Sequence, residues 1–256
     1  MVPGALATAF DLGALAELLA ARHTVHVVQR RGRGDSGPQG DRYSIASECA
    51  DIEAIRARTD ARLIFGHSFG GLVALRAACA NPAFDAVAVY EPGVSVDKSI
   101  PTDWTDRARR ELAAGNNFEA FLTFIRGINP SQTGRIPRWF LRIILRHAIP
   151  HIEMEQNLAL MPQAVNEHIE VGHLDARLSD YHEITANTLI MHGKGRRTSR
   201  QILALTQLGA TIPDCEISAF PTLDHFAPEK TPEQITTTVL QFFATHARTD
   251  TTIRRQ

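Results

Sequence analysis

The sequence predicts an α/β fold, in which a mostly parallel sheet carries helices on both faces. Short apolar stretches, as long as buried strands, alternate with segments whose apolar residues recur at helical spacing. Such alternation is typical of parallel strands joined by helices. The chain has 256 residues, of which 44% are hydrophobic and 21% charged, so it can form a substantial core in one or two domains.

The elements follow one another along the chain. Residues 11–22 place four leucines on one helical face, residues 23–28 read as a β-branched strand, and Ser44 can cap the next helix. The remaining predicted elements are a strand at 62–65, a helix ending at Ala80, strands at 86–90, 188–192 and 215–220, and helices at 199–208 and 232–247.

The pattern changes between residues 94 and 185, where strand patterns vanish and helical stretches interrupted by prolines dominate. We interpret this segment as a helical cap inserted into a core formed by residues 1–93 and 186–247. Residues 248–256 are polar and are expected to form a loose tail.

Composition excludes several classes of protein. The 27 basic residues are balanced by 28 acidic residues, which argues against a nucleic-acid partner. No uncharged apolar stretch reaches the ~18 residues of a membrane span, and the first residues do not resemble a signal peptide. Three widely spaced cysteines favour a reducing compartment. We therefore expect a cytoplasmic protein that acts on a small molecule, with no membrane contact and with its oligomeric state undetermined.

Residues 66–70 read Gly-His-Ser-Phe-Gly and match the pattern G-x-S-x-G. A strand that turns at once into a helix strains the central residue, and flanking glycines avoid side-chain clashes. The hydroxyl of Ser68 would then lie at a helix N-terminus, where N–H groups stabilise negative charge. This arrangement favours Ser68 as a nucleophile.

The sequence resembles the α/β-hydrolase fold family in three respects. These are the turn at 66–70, called the elbow below, its position before a late histidine, and two further segments. Those segments are RRGRGDSG at 30–37 and LDHFAPEKTPEQI at 223–235. The resemblance implies a serine hydrolase that forms an acyl-enzyme and uses neither cofactor nor metal. It also implies that His225, which follows the last strand, is the general base.

The acid that orients the histidine departs from the family's majority pattern. The residues after the seventh strand of the fold, at 193–213, contain no carboxylate. The family has a second position at the end of the sixth strand, where this chain has Glu91, and we expect Glu91 to fill the role. Asp224, a residue of the cap, or a dyad without an acid are the alternatives.

By resemblance, the backbone N–H groups of Phe69 and Ala5 form the oxyanion hole. Trp139, Phe140 and Phe121 are candidates for an apolar substrate pocket, although packing between helices is the favoured explanation for most of the aromatic residues in this segment. Arg138, Arg142 and Arg146 share one helix face and could bind a carboxylate, although a face exposed to solvent is the favoured interpretation. The spacing of His147, His151 and Glu155 suits a metal, but Pro150 interrupts that helix, so we expect none.

The fold family places a central strand directly before residues 2–4, yet this sequence begins there. We therefore expect the first strands of the sheet to be missing, through truncation or as a genuine shortened variant. The predicted function is hydrolysis of an ester, lactone or related acyl bond of a small, hydrophobic molecule. The alternatives are a cyclase or C–C bond hydrolase that uses the same triad, and a non-catalytic protein that binds a small molecule.

Overall fold

The computed structural model describes residues 1–193 and 199–247. Its sheet has four parallel strands, β1 (Leu63–His67), β2 (Ala86–Tyr90), β3 (Asn187–Gly193) and β4 (Cys215–Phe220), which lie side by side in that order. Three of the predicted strands keep their positions within about two residues, and β1 extends two residues beyond the predicted end.

Helices connect and flank these strands. They are α1 (Gly13–Leu19), α2 (Ile45–Thr59), α3 (Phe69–Ala80), α4 (Thr105–Ala113), α5 (Asn117–Ile128), α6 (Pro130–Thr133), α7 (Arg138–Ala148), α8 (His151–Ala159), α9 (Met161–His173), α10 (Ser199–Thr211), α11 (Ala227–Lys230) and α12 (Glu233–His246). Two short 3-10 helices span Ala9–Leu12 and Leu178–Glu183.

Both faces of the sheet are covered, as the sequence predicts. Val87 and Val89 of β2 pack with residues of α2, α3 and α10 on one face. Ala86, Ala88 and Tyr90 alternate with them and pack with residues of α1 and α12 on the other face. Every residue of β2 is buried, which explains why the strand is apolar throughout.

The helices α4 to α9 lie between β2 and β3 in the chain and have an apolar core of their own, which includes Trp104, Phe121, Phe124 and Met161. The two ends of the predicted cap, residues 94–185, do not belong to this core. Val94 and Ile184 pack instead in the apolar core beside the sheet. In the part of the chain that the structure describes, no helix combines the length and apolarity needed to cross a membrane.

The prediction of a strand at 23–28 is wrong, because this segment has no regular strand pairing. It lies opposite β1, but only Met1 and Val2 lie between them. The N–H of Val28 donates to Met1 O at 2.9 Å, and the N–H of Val2 donates to Phe65 O at 2.8 Å. An apolar cavity of about 190 Å³ continues alongside. Two residues are too few to build a hydrogen-bonded ladder.

The prediction that Ser44 caps α2 with its side chain is also wrong. Ser44 stands at the N-cap position with extended backbone, but its hydroxyl makes no capping hydrogen bond. The N–H of Ile45 instead donates to Glu170 Oε2 of α9 at 2.8 Å. The negative carboxylate suits the positive end of the helix dipole. Residues 248–256, expected to form a loose tail, lie outside the described residues.

Candidate active site

Ser68 occupies the sharp turn between β1 and α3. Its backbone has φ 54° and ψ −122°, a conformation that side chains rarely adopt. A Cβ added at Gly66 would overlap the backbone of Gly70 and Gly71, and a Cβ added at Gly70 would overlap the carbonyl oxygens of Val2 and Pro3. Both glycines are therefore required for the strand, the helix and the N-terminal loop to approach one another.

Glu91 follows β2 and is buried, with 3% of its surface exposed. Its backbone has φ 45°. Both carboxylate oxygens have partners: Oε1 accepts the N–H of Gly193 at 3.0 Å, and Oε2 lies 2.7 Å from Nδ1 of His225. A buried carboxylate is costly without such partners. The structure thus brings together two residues that are 134 positions apart.

His225 lies in the loop between β4 and α11, with 41% of its side chain exposed. Because a carboxylate only accepts hydrogen bonds, its contact with Nδ1 assigns the ring proton to that nitrogen. The Nε2 atom of the neutral ring is then an acceptor, as a general base requires.

Asp224, the alternative acid, is arranged differently. Its side chain is exposed, and Oδ1 accepts the N–H of Phe226 at 2.8 Å. Its carbonyl oxygen accepts the hydroxyl of Tyr90 at 2.7 Å. Asp224 therefore shapes the turn beside His225, whereas Glu91 contacts the imidazole itself.

His67, which precedes Ser68, contacts the loop that carries His225. Its Nε2 donates to the carbonyl oxygen of His225 at 2.8 Å, and the two rings lie 4.9 Å apart between centroids. Its Nδ1 lies 3.2 Å from Glu229 Oε1. The sequence pattern places this side chain away from Ser68. It does not reveal that the same side chain binds the loop that carries His225.

Among the described residues, the hydrogen bonds do not include one between Ser68 Oγ and His225. The ring of His67, the residue before Ser68, contacts the His225 ring, which brings the loop of His225 to the turn that carries Ser68. Catalytic hydrogen bonds are often long in unliganded enzymes and tighten when substrate binds.

The predicted oxyanion donors belong to a residue next to Ser68 in the chain and to the N-terminal loop that approaches it. Phe69 begins α3, so its N–H points out of the helix end. Ala5 follows Gly4, where an added Cβ would lie only 3.1 Å from Ser68 Cβ. Within the described residues, neither the N–H of Ala5 nor that of Phe69 donates a hydrogen bond. Both groups are therefore available to bind an oxyanion.

The aromatic candidates for substrate binding are spread over the helical segment. Trp139 and Phe140 of α7 are 65% and 45% exposed and pack on each other, with ring centroids 5.5 Å apart. Phe121 of α5 is buried in the core of the segment, near Phe124. Their role in substrate binding stays a prediction.

The three arginines of α7 are engaged within the protein. Arg138 and Arg142 both pair with the carboxylate of Glu119, and Arg146 lies over the ring of Phe118. Nδ1 of His151 lies 3.5 Å from Glu155 Oε2, and both side chains are exposed. Within residues 1–193 and 199–247, no three His, Cys, Asp or Glu side chains are grouped to hold a metal ion.

A buried cluster of charges, which sequence reasoning missed, lies beneath the N-terminal loop. Arg30 and Arg33 follow the segment opposite β1, Glu48 belongs to α2, and Glu167 to α9; all four are at most 1% exposed. Burial disfavours the charged form of Arg30, but the carboxylates of Glu167 and Glu48 outweigh it and raise its pKa. Only the three-dimensional fold brings these charges together.

The sequence matches the alpha/beta hydrolase family over residues 1–237. An N-formylmaleamate deformylase from Pseudomonas putida is 36% identical over 100 residues, a match that covers 37% of this chain and 37% of that protein. The matched part is thus well under half of that relative's length.

Solved structures are similar over far more of the chain. An alpha/beta hydrolase from Sphaerobacter thermophilus is 28% identical, with a TM-score of 0.78 over 94% of this chain and 91% of that one. An N-formylmaleamic acid deformylase from Pseudomonas putida is 22% identical, with a TM-score of 0.64 over 93% and 89% of the two chains, a likeness of fold. With the family match spanning nearly the whole sequence, the chain belongs to the alpha/beta hydrolase family.

Proposed function

We propose that this hydrolase cleaves an acyl bond of a small molecule through a covalent acyl-serine intermediate. Ser68 is the nucleophile, His225 the general base and Glu91 the acid that orients it. The observation that carries the proposal is the 2.7 Å contact between buried Glu91 and Nδ1 of His225. In the neutral ring, that contact places the proton on Nδ1 and makes Nε2 the acceptor, as activation of a serine demands.

The reaction runs in two halves. Ser68 Oγ attacks the carbonyl carbon while His225 Nε2 takes its proton, and the N–H groups of Ala5 and Phe69 bind the oxyanion. The intermediate collapses, the acyl–heteroatom bond breaks, and Nε2 returns the proton to the leaving group. A water molecule, deprotonated by Nε2, then attacks the acyl-serine; the bond from the acyl carbon to Ser68 Oγ breaks, Nε2 returns the proton to Oγ, and the acid is released. The carboxylate of Glu91 stabilises the imidazolium in both halves.

Two substrate classes follow from what supports the proposal. A serine at the elbow suits esters and lactones, whose leaving alcohols need only one proton from His225. The curated relative with 36% identity over 100 residues is named as a deformylase. We therefore add N-formyl amides as the second candidate class, in which the leaving group is an amine or amide.

The first experiment asks whether Ser68 is activated. The folded protein is treated with a fluorophosphonate, and the labelled peptide is identified by mass spectrometry. We expect one label, on Ser68, and none in Ser68→Ala or in denatured protein. Ser131→Ala removes an exposed serine of α6 and should label like the unchanged protein. A folded protein that takes no label, or takes it elsewhere, contradicts the proposal and favours a binding protein.

The substrate class is tested with one panel of aryl esters, lactones and N-formyl amides of graded size. Turnover that disappears in Ser68→Ala identifies the class. Release of formate from an N-formyl amide, faster than hydrolysis of matched acetyl esters, would favour the deformylase candidate over the esterase. Turnover that persists in Ser68→Ala would argue against the covalent route.

A further inference from the structure

Arg30 lies at the centre of the buried charge cluster and has no exposed side-chain surface. Its Nε and Nη2 donate to the two oxygens of Glu48 at 3.3 and 2.7 Å. Nη2 also donates to Glu167 Oε1 at 2.9 Å. Two carboxylates therefore hold one guanidinium in a fixed plane, a geometry that a flexible ammonium would not reproduce.

The same guanidinium contacts the loop that carries Ala5. Its Nη1 donates to Gly4 O at 3.0 Å and lies 3.4 Å from Pro3 O. The oxygen of Gly4 and the N–H of Ala5 belong to one peptide group, and no peptide bond in the described chain is cis. In a trans peptide these two groups point in opposite directions. By holding Gly4 O, Arg30 thus directs the N–H of Ala5 away from itself.

Arg30 also contacts the residue that carries the other oxyanion donor. Its guanidinium carbon lies 4.7 Å from the centre of the Phe69 ring, and the Phe69 side chain is buried. A cation over an aromatic face is an attractive contact when it is shielded from water. One side chain therefore contacts both the peptide group that carries the N–H of Ala5 and the ring of Phe69.

Arg33 and Glu167 extend this support to the helical segment. Arg33 Nε donates to Ala7 O at 2.8 Å, and its Nη2 donates to Glu167 Oε1 at 2.7 Å. Glu167 lies on α9 and is fully buried. The loop that precedes and follows Ala5 is thus held at Gly4 and Ala7 by two arginines that share one carboxylate.

We propose that Arg30 is a positioning residue, which sets the direction of the Ala5 N–H and the place of Phe69 and so builds the oxyanion hole. The inference rests on the proposed acyl-transfer function. Arg30 does not touch the reacting atoms; it acts through the Gly4–Ala5 peptide. A hydrogen bond from a charged donor to Gly4 O also polarises that peptide and strengthens its N–H as a donor.

The test compares Arg30→Lys with Arg31→Lys. Lysine keeps the charge but cannot span Glu48, Glu167 and Gly4 O together. Arg31, the next residue, pairs with Asp51 at the surface and provides a matched control. The readout is fluorophosphonate labelling of Ser68, because the phosphoryl oxygen of that probe occupies the oxyanion hole. We expect the maximal labelling rate to fall about 10- to 100-fold in Arg30→Lys only, with little change in the probe concentration for half-maximal rate.

The outcomes separate the two proposals. If Ser68 of the unchanged protein takes no label, the proposed function fails. If it labels and folded Arg30→Lys labels equally fast, the role of Arg30 fails while the function stands. A loss confined to probe affinity would likewise overturn the positioning role.

Glu48→Gln provides a second route should Arg30→Lys not fold. It keeps the shape of the side chain but turns one acceptor of Arg30 into a donor. We expect a smaller fall in the maximal rate, several-fold at unchanged probe affinity. A rate equal to that of the unchanged protein would overturn the proposal.

Discussion

At the scale of single residues, the site depends on two strained positions. Ser68 and Glu91 both have positive φ, at the ends of neighbouring strands. Such conformations cost roughly 1–3 kcal/mol each. Backbone hydrogen bonds to other segments of the protein hold both residues. Gly93 N–H donates to Ser68 O at 2.8 Å, and Glu91 N–H donates to Met191 O at 2.8 Å. The parallel strands therefore impose the geometry on the side chains.

The identity of the acid is tested at this scale by Glu91→Gln and Asp224→Asn. The amide introduced by Glu91→Gln would fit the same space but would not stabilise an imidazolium, and it could reverse the tautomer of His225. We expect turnover to fall about 10²- to 10⁴-fold. Asp224 only shapes its turn, so Asp224→Asn should stay near the unchanged rate. Steady-state kinetics on an aryl ester would measure the turnover of both variants. A larger loss of turnover in Asp224→Asn than in Glu91→Gln would assign the role to Asp224.

At the scale of elements, the junction between β1 and α3 is the most constrained part of the fold. Gly66 lies against Gly70 and Gly71, and Gly70 lies beneath the carbonyls of Val2 and Pro3. All of these contacts are with backbone atoms, which cannot move aside as a flexible side chain would. The glycines of the elbow thus serve packing as well as chain direction.

Gly70→Ala tests this constraint. The added methyl would push the N-terminal loop away from α3, so we expect a loss of about 1–3 kcal/mol of stability or more, and slower labelling of Ser68. Gly13→Ala is the matched control: nothing lies within 4 Å of its added Cβ, and it should gain roughly 0.5–1 kcal/mol. Urea unfolding measures both. Equal stability of the two variants would contradict the close contact at Gly70.

At the scale of the whole molecule, the buried charges join parts that are distant in sequence. Glu167 of α9 binds Arg30 and Arg33, and Arg30 binds Glu48 of α2. Two positive and two negative groups leave the cluster neutral. Removing one partner leaves a buried charge uncompensated, which costs about 3–5 kcal/mol. The helical segment is therefore coupled in stability to the sheet.

This coupling predicts a response to acid. Burial raises the pKa of Glu48, but the charge and hydrogen bonds of Arg30 outweigh it and lower the pKa below its ordinary 4.5. A carboxyl with a lowered pKa in the folded state stabilises fully above 4.5, and this contribution is lost as the pH falls through the lowered value. Unfolding free energies measured between about pH 6 and pH 3 should show this loss, and Glu48→Gln should reduce it. If the unfolding free energy of Glu48→Gln fell with pH as steeply as that of the unchanged protein, the proposed contribution of Glu48 would be contradicted.

Several elements can be predicted from the sequence because they obey local rules. The G-x-S-x-G turn, the apolar run of β2 and the helical spacing of α12 each follow from sterics or periodicity within a few residues. Glu91 could be selected because residues 193–213 lack carboxylates, although the sequence does not place it beside His225.

Which distant groups meet depends on the three-dimensional fold. The fold brings Glu91 to His225, places His67 against the loop that carries His225, and assembles Arg30 with Glu48 and Glu167. It also left residues 23–28 without strand pairing. These outcomes depend on contacts between groups that are separated in the chain, by 137 positions for Arg30 and Glu167 and by 18 for Arg30 and Glu48, and such contacts leave no periodic trace in the sequence.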